Sequence, residues 1–195
     1  SVSITYAGPA LTDGSDYYFN VTCNDTGNKN WSAVASVKFH MNAIPTTTLA
    51  TPSNDTWTNS TTVNFTWSYS DTEGSSQSAF NITISNGSGF SVINYTANET
   101  SSNNYKVLTL ADGIWYWRVK TNDGYEWGEW SGWNIIKIDT APPTSGVNAI
   151  SLYWNTTGNV NITATASDTG GSGLKNVTLY YYNSTDNSTF SGPLA

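Results

Sequence analysis

Fifteen asparagines open an Asn-x-Ser/Thr tripeptide with no proline in the middle: Asn20, Asn24, Asn30, Asn54, Asn59, Asn64, Asn81, Asn86, Asn94, Asn98, Asn155, Asn161, Asn176, Asn183 and Asn187. This is the acceptor motif for N-linked glycans, and random placement of the same composition would give roughly half as many. In Asn20-Val21-Thr22, Asn64-Phe65-Thr66, Asn81-Ile82-Thr83, Asn161-Ile162-Thr163 and Asn176-Val177-Thr178 the middle residue is apolar. In an extended chain Asn and Thr then share one face and the apolar residue takes the other. A glycan on such a face covers a sheet without entering the core. The competing reading is that Asn and Thr are simply the polar residues chosen for outward strand positions.

Carboxylates and amides gather at a few loops. Asp71 and Glu73 form one set with Asn122, Asp123 and Glu126, and Asp168 forms another with Asn24 and Asp25. Hard cations take six to eight oxygens from such groups, so Asp71, Glu73, Asp123, Asp168 and Asp25 are candidate Ca2+ ligands. The competing use is local, because Asp and Asn in turns also accept bonds from their own backbone. No other cofactor is indicated.

Catalysis finds little to work with. His40 is the sole histidine, and GxSxG, HExxH and glycine-rich phosphate loops are all missing from the sequence. Asp71 and Glu73 have the chemistry of a glycosidase pair, but nothing places a sugar between them. The chain is expected to be no enzyme. Cys23 is the single cysteine, which excludes an intrachain disulfide, and its setting predicts a small buried strand residue. Of nine tryptophans, Trp57, Trp127 and Trp154 fall in loops or at strand starts, where they stack on sugars or cap a core.

Composition narrows the class. The 195 residues are 37% hydrophobic and 14% aromatic, enough for packed cores, but only 11% charged. A net charge of −7 with seven basic residues argues against a nucleic-acid partner, which needs basic clusters. No apolar run approaches the roughly 18 residues of a transmembrane helix, and no signal peptide is recognisable. The sequence reads as a mature or excised segment.

The chain repeats itself. Leu11-Thr12-Asp13-Gly14 followed by Tyr17-Tyr18-Phe19-Asn20-Val21-Thr22-Cys23-Asn24-Asp25 recurs as Leu110-Ala111-Asp112-Gly113 followed by Trp115-Tyr116-Trp117-Arg118-Val119-Lys120-Thr121-Asn122-Asp123. Trp31-Ser32 recurs as Trp130-Ser131, and Pro45-Thr46 as Pro143-Thr144. Val63-Asn64-Phe65-Thr66, Ser70-Asp71 and Asn81-Ile82-Thr83 recur as Val160-Asn161-Ile162-Thr163, Ser167-Asp168 and Asn176-Val177-Thr178. Offsets of 95–99 residues match one sandwich domain.

Period-two alternation marks the strands: Val63, Phe65 and Trp67; Phe80, Ile82 and Ile84; Trp115, Trp117 and Val119. No stretch has helical period. The expected fold is all-β, with tandem Ig-like β-sandwich domains, one complete and one split between the two ends. Residues 46–142 form the complete domain. Residues 1–45 carry the C-terminal half of another, and 143–195 the N-terminal half of one completed by a neighbouring unit. Joined, the two halves give 98 residues in the strand order of the middle 97.

Phe65-Thr66-Trp67-Ser68-Tyr69-Ser70-Asp71 with Glu73-Gly74, the Leu110–Val119 segment, and the joint Ile138-Asp139-Thr140-Ala141-Pro142-Pro143 carry a family likeness. With Ala166–Leu174 they resemble fibronectin type III and related Ig-like tandem repeats of large prokaryotic, especially archaeal, extracellular surface proteins. Trp130-Ser131-Gly132-Trp133-Asn134 resembles the Trp-Ser-x-Trp-Ser motif of cytokine-receptor fibronectin domains, in which arginines stack between the tryptophans. Arg118, on an outward strand position, is placed to stack in that way, a local packing role. The resemblance implies an extracellular or cell-surface glycoprotein: a building block of a filament, sheath, stalk or surface layer. Its partners would be N-linked glycans and either copies of itself, head to tail, or adjacent repeats of one chain. The alternative is a surface adhesin or carbohydrate-binding module.

Overall fold

The computed structural model describes residues 3–12, 14–23, 26–27, 32–150, 158–183 and 191–194. All regular structure among them is β-strand: β1 (Asp16–Val21), β2 (Ala35–His40), β3 (Thr46–Thr51), β4 (Thr56–Thr58), β5 (Thr62–Ser70), β6 (Ala79–Ser85) and β7 (Tyr95–Glu99). There follow β8 (Tyr105–Thr109), β9 (Gly113–Asn122), β10 (Asn134–Ile138), β11 (Thr144–Val147), β12 (Ala164–Ser167), β13 (Tyr181–Asn183) and β14 (Ser191–Leu194).

A three-stranded sheet, β3-β5-β8, and a five-stranded sheet, β4-β10-β9-β6-β7, make a β-sandwich. Their side chains meet face to face. Phe65 of β5 packs edge-on against Trp117 of β9 with ring centroids 5.0 Å apart, and Trp67 of β5 lies 4.8 Å from Phe80 of β6. The alternation read in the sequence is what allows this. Val63, Phe65 and Trp67 are buried, while Thr62, Asn64 and Ser68 between and beside them are exposed. Trp67 Nε1 donates to Gln77 Oε1 (3.1 Å), and Gln77 Nε2 donates to the carbonyls of Ser101 and Asn103. This buried indole is therefore fully partnered. Trp117 Nε1 is buried with no hydrogen-bond partner.

Chain contacts divide the protein into two compact units. The first comprises Ser1–Thr56, Thr62–Thr109 and Ile114–Ile136, and includes β1 and β2, which pair antiparallel from Asp16↔His40 to Val21↔Ala35. The second comprises Trp57–Thr61, Leu110–Gly113 and Lys137–Ala195. Within it β11 pairs antiparallel with β12, and β13 with β14.

The β1–β2 hairpin is open where its repeat counterpart is closed. Phe19 and Val21 are 36% and 50% exposed, whereas the matching Trp117 and Val119 of β9 are at 0%. Val37 and Phe39 stand at 63% and 46%, against 1% and 0% for Ile136 and Ile138. The sequences share an apolar phase, but among the described residues β9 has β6 and β10 as ladder neighbours while β1 has only β2. Cys23, expected to be buried, is exposed for the same reason, since its counterpart Thr121 is at 0%.

Candidate functional site

The distinctive chemistry lies in two turns that follow a last strand, residues 40–45 after β2 and 139–143 after β10. In the first, Ala43 N–H donates to Glu73 Oε1 (2.7 Å), and His40 Nε2 stands 3.3 Å from the same oxygen. The other ring nitrogen of His40 lies 2.7 Å from Asp16 Oδ1, and Lys38 Nζ is 2.8 Å from Asp16 Oδ2. Asn42 Nδ2 donates to Asp123 Oδ2 (2.7 Å). At Gly128 a Cβ would sit 2.1 Å from the Pro45 carbonyl oxygen, so only glycine admits that approach.

The second turn uses its own carboxylate. Asp139 Oδ1 accepts from the Ala141 amide (3.0 Å), and Asp139 Oδ2 from the Ser172 amide (2.9 Å). A Cβ on Gly170 would fall 1.5 Å from Asp139 Oδ1. In the repeat alignment His40 corresponds to Asp139, Glu73 to Gly170 and Ala43 to Ala141. Each turn thus fastens the same alanine amide with one carboxylate, supplied by the facing loop in the first and by the turn itself in the second. Where the turn supplies it, the loop residue shrinks to glycine. The self-alignment contained this signal, but the exchange becomes legible only once the hydrogen bonds are known.

The carboxylates proposed for calcium are spent mainly on amides. Asp71 Oδ1 accepts from the Glu73 and Ser75 amides at 3.1 and 2.9 Å, and Asp123 Oδ1 from the Tyr125 and Glu126 amides at 2.7 Å each. Burial alone would raise the Asp123 pKa, but the bonds from Glu126, Asn42 and Tyr125 outweigh it and hold the carboxyl below its ordinary value. Asp71 Oδ2 and Glu73 Oε2 are buried without a hydrogen-bond partner. Nearby Tyr69 is pushed up to about 12, first by burial and then by Asp71, Asp123 and Glu73. Asp168 accepts from Gly170 N (3.3 Å) and Ser172 Oγ (3.0 Å). Among the described residues no three His, Cys, Asp or Glu side chains stand close enough together to hold a metal ion. Asp25 and Asn24 lie outside the described residues.

His40 makes the first turn respond to pH. Asp16, then Glu73, holds the imidazolium above the ordinary histidine value, while Lys38 and His40 hold Asp16 below the ordinary carboxylate value. The histidine contribution is complete below the ordinary histidine value and is lost as pH rises through the raised one. The Asp16 contribution is complete above the ordinary Asp value and is lost as pH falls through the depressed one. The cluster of Asp16, Lys38, His40 and Glu73 is therefore tightest in mildly acidic solution. An NMR titration is expected to show His40 deprotonating above its ordinary value, and Asp16→Asn is expected to bring it back down.

On the outer face of β6 and β9 a cation–π ladder runs Phe90, Arg118, Trp130, Lys120, Trp127. The Arg118 guanidinium lies 4.2 Å from the Phe90 ring centre and 4.5 Å from that of Trp130, and Lys120 Nζ is 5.1 Å from both Trp130 and Trp127. Ser131 fastens the turn to β9, its amide donating to the Val119 carbonyl and its Oγ accepting from the Val119 amide. Arg118 therefore stacks on Trp130 as its strand position predicted, but its second ring is Phe90 and not Trp133, which packs edge-on against Tyr116 with ring centroids 5.2 Å apart. Arg118→Ala is expected to destabilise the sandwich by about 1–3 kcal/mol, two contacts of the usual size, measurable as a lower denaturation midpoint. Trp127 has one ring face occupied by Lys120. Trp57, 40% exposed, carries Lys137 Nζ at 5.5 Å and borders an open depression of about 420 Å³ with Asn59, Asp139 and Ser172. Trp154 lies outside the described residues.

Asn20, Asn54, Asn59, Asn64, Asn86, Asn94, Asn98, Asn161 and Asn176 are exposed. Asn81 differs. It is half-buried, its Oδ1 accepts from Thr96 Oγ1 (3.4 Å), and Thr83 of the same tripeptide is buried, within 3.4 Å of Arg118 Nε. The ladder that covers this face explains why Thr83 is not on solvent. Asn24, Asn30, Asn155 and Asn187 lie outside the described residues, as does the Asn183 side chain.

Comparison with known proteins matches no family model and no curated protein. Among solved structures, the chain resembles domains d3–d4 of the rat CD45 extracellular region, with TM-score 0.41 and 12% identity over 68% of each chain. It also resembles the fibronectin(III)-like modules of Clostridium thermocellum CbhA, with TM-score 0.36 and 16% identity over 64% of this chain and 61% of that one.

Proposed function

We propose that this chain is a non-enzymatic structural building block of a glycosylated extracellular filament, sheath, stalk or surface layer of an archaeal or other prokaryotic cell. Its open strands are completed head to tail by another copy of the same sequence. The observation that carries this is the contrast between two sets of repeat-equivalent strands. Phe19, Val21, Val37 and Phe39 lie open, while Trp117, Val119, Ile136 and Ile138 are closed in a core. An apolar strand face of this kind, left uncovered, is a ready template for another chain. Glycans on the exposed sequons would supply the solubility that a surface only sparsely charged lacks.

Sedimentation of the chain over a range of concentrations tests the reading. Mass is expected to grow with concentration into a ladder of multiples. A single-chain mass throughout would refute it. Peptide mass spectrometry of native material is expected to find N-linked sugar on Asn64 and Asn161, whose side chains face solvent.

A further inference from the structure

Resting on that head-to-tail reading, we infer the register in which two copies meet: β1 of one copy pairs antiparallel with residues 176–180 of another, Val21 opposite Val177 and Phe19 opposite Leu179. The complete sandwich supplies the template. There β6 and β9 pair antiparallel with Ile82↔Val119, Thr83↔Arg118, Ile84↔Trp117 and Ser85↔Tyr116. Through the internal repeat, β9 residues Tyr116–Val119 correspond to Tyr18–Val21, and β6 residues Ile82–Ser85 to Val177–Tyr180. The translated pairs are Val177↔Val21, Thr178↔Asn20, Leu179↔Phe19 and Tyr180↔Tyr18.

Both edges are open. Among the described residues β1 has β2 as its only ladder neighbour, where β9 has two. Residues 176–180 belong to no strand, although the matching stretch of β6 is paired on both sides, with β9 and β7. Val177 and Leu179 are 61% and 47% exposed, and they line a cavity of about 160 Å³ with Val147 and Ala164. On the other partner, Phe19 presents its apolar side to Tyr6, with ring centroids 5.9 Å apart. The pairing puts all four apolar residues on one face and Asn20, Thr178, Tyr18 and Tyr180 on the other, as a sandwich strand requires. A slip of one residue would turn one partner's apolar set outward, so the register is strongly specified. The occupant is a second copy, because the strand that each edge lacks is the one the other end carries.

Cysteine cross-linking reads the register directly. In a Cys23→Ser background, one chain carries Val21→Cys and a second carries Val177→Cys. A parallel pair carries Asn20→Cys and Thr178→Cys. Opposed residues in an antiparallel ladder alternate between wide and narrow spacing, so one of the two pairs has the narrow spacing that favours a disulfide. The substituted positions are exposed in the single chain, which leaves its fold undisturbed. Mixing and mild oxidation are expected to link at least one in-register pair at ten or more times the yield of Val21→Cys with Leu179→Cys. Assemblies that link only through Val21–Leu179, or at none of these pairs, would overturn the register while leaving the head-to-tail reading intact. Single chains by sedimentation with no cross-link would overturn both.

Discussion

Trp117→Ala is expected to destabilise the sandwich by about 3–5 kcal/mol, the range for deleting a large buried aromatic. Trp117 is at 0% exposure, at the centre of the five-stranded sheet and edge-on to Phe65. Alanine would leave a cavity bounded by both sheets, which strand-on-strand packing closes only partly. A milder pair of substitutions separates volume from polarity. Trp67→Phe removes the donor to Gln77 Oε1 and strands a buried carbonyl, adding about 1–3 kcal/mol to the volume loss. Trp117→Phe removes an indole N–H that has no partner, so its cost should be the smaller of the two. Chemical denaturation of the three variants against the parent checks the ranking.

Phe19→Asp is expected to abolish assembly. In the head-to-tail arrangement Phe19 occupies the place that Trp117 holds in the complete sandwich, and a carboxylate there would be buried without a partner. Losing the aromatic alone should weaken association by at least about 100-fold, from the cost of a Phe deletion and the free-energy scale of binding. In the isolated chain the residue is 36% exposed, so the unfolding free energy of the β3–β10 sandwich should stay within about 0.5 kcal/mol of the parent. The two readouts move independently only if Phe19 acts between copies.

The strands of the sandwich were legible because burial on one face leaves a period of two, and β5 and β9 keep it over nine and ten residues. β6 was read correctly as a strand but not on its outer face. Thr83 and Ser85 look like solvent-facing residues, yet Arg118, Phe90 and Trp130 come from elsewhere in the chain to cover that side. Local pattern carries no record of a partner brought in by tertiary structure. Cys23 failed in the opposite direction. Its strand phase matches that of buried Thr121, yet it is exposed, because among the described residues no second sheet packs over β1 and β2. The turn carboxylates were visible as a cluster, but sequence could not distinguish cation ligands from amide acceptors, since both use the same oxygens. The exchange of His40 and Glu73 for Asp139 and Gly170 needed hydrogen bonds to be seen at all.

Amide hydrogen exchange of residues 176–180, followed as the chain is concentrated, tests the central claim most directly. Unpaired strand amides exchange fast, and a ladder protects them. The account predicts fast exchange in dilute solution and progressive protection of these amides, together with those of β1, as concentration rises. Exchange at the same rate at every concentration would contradict it, because the open strands would then not be completed by another copy.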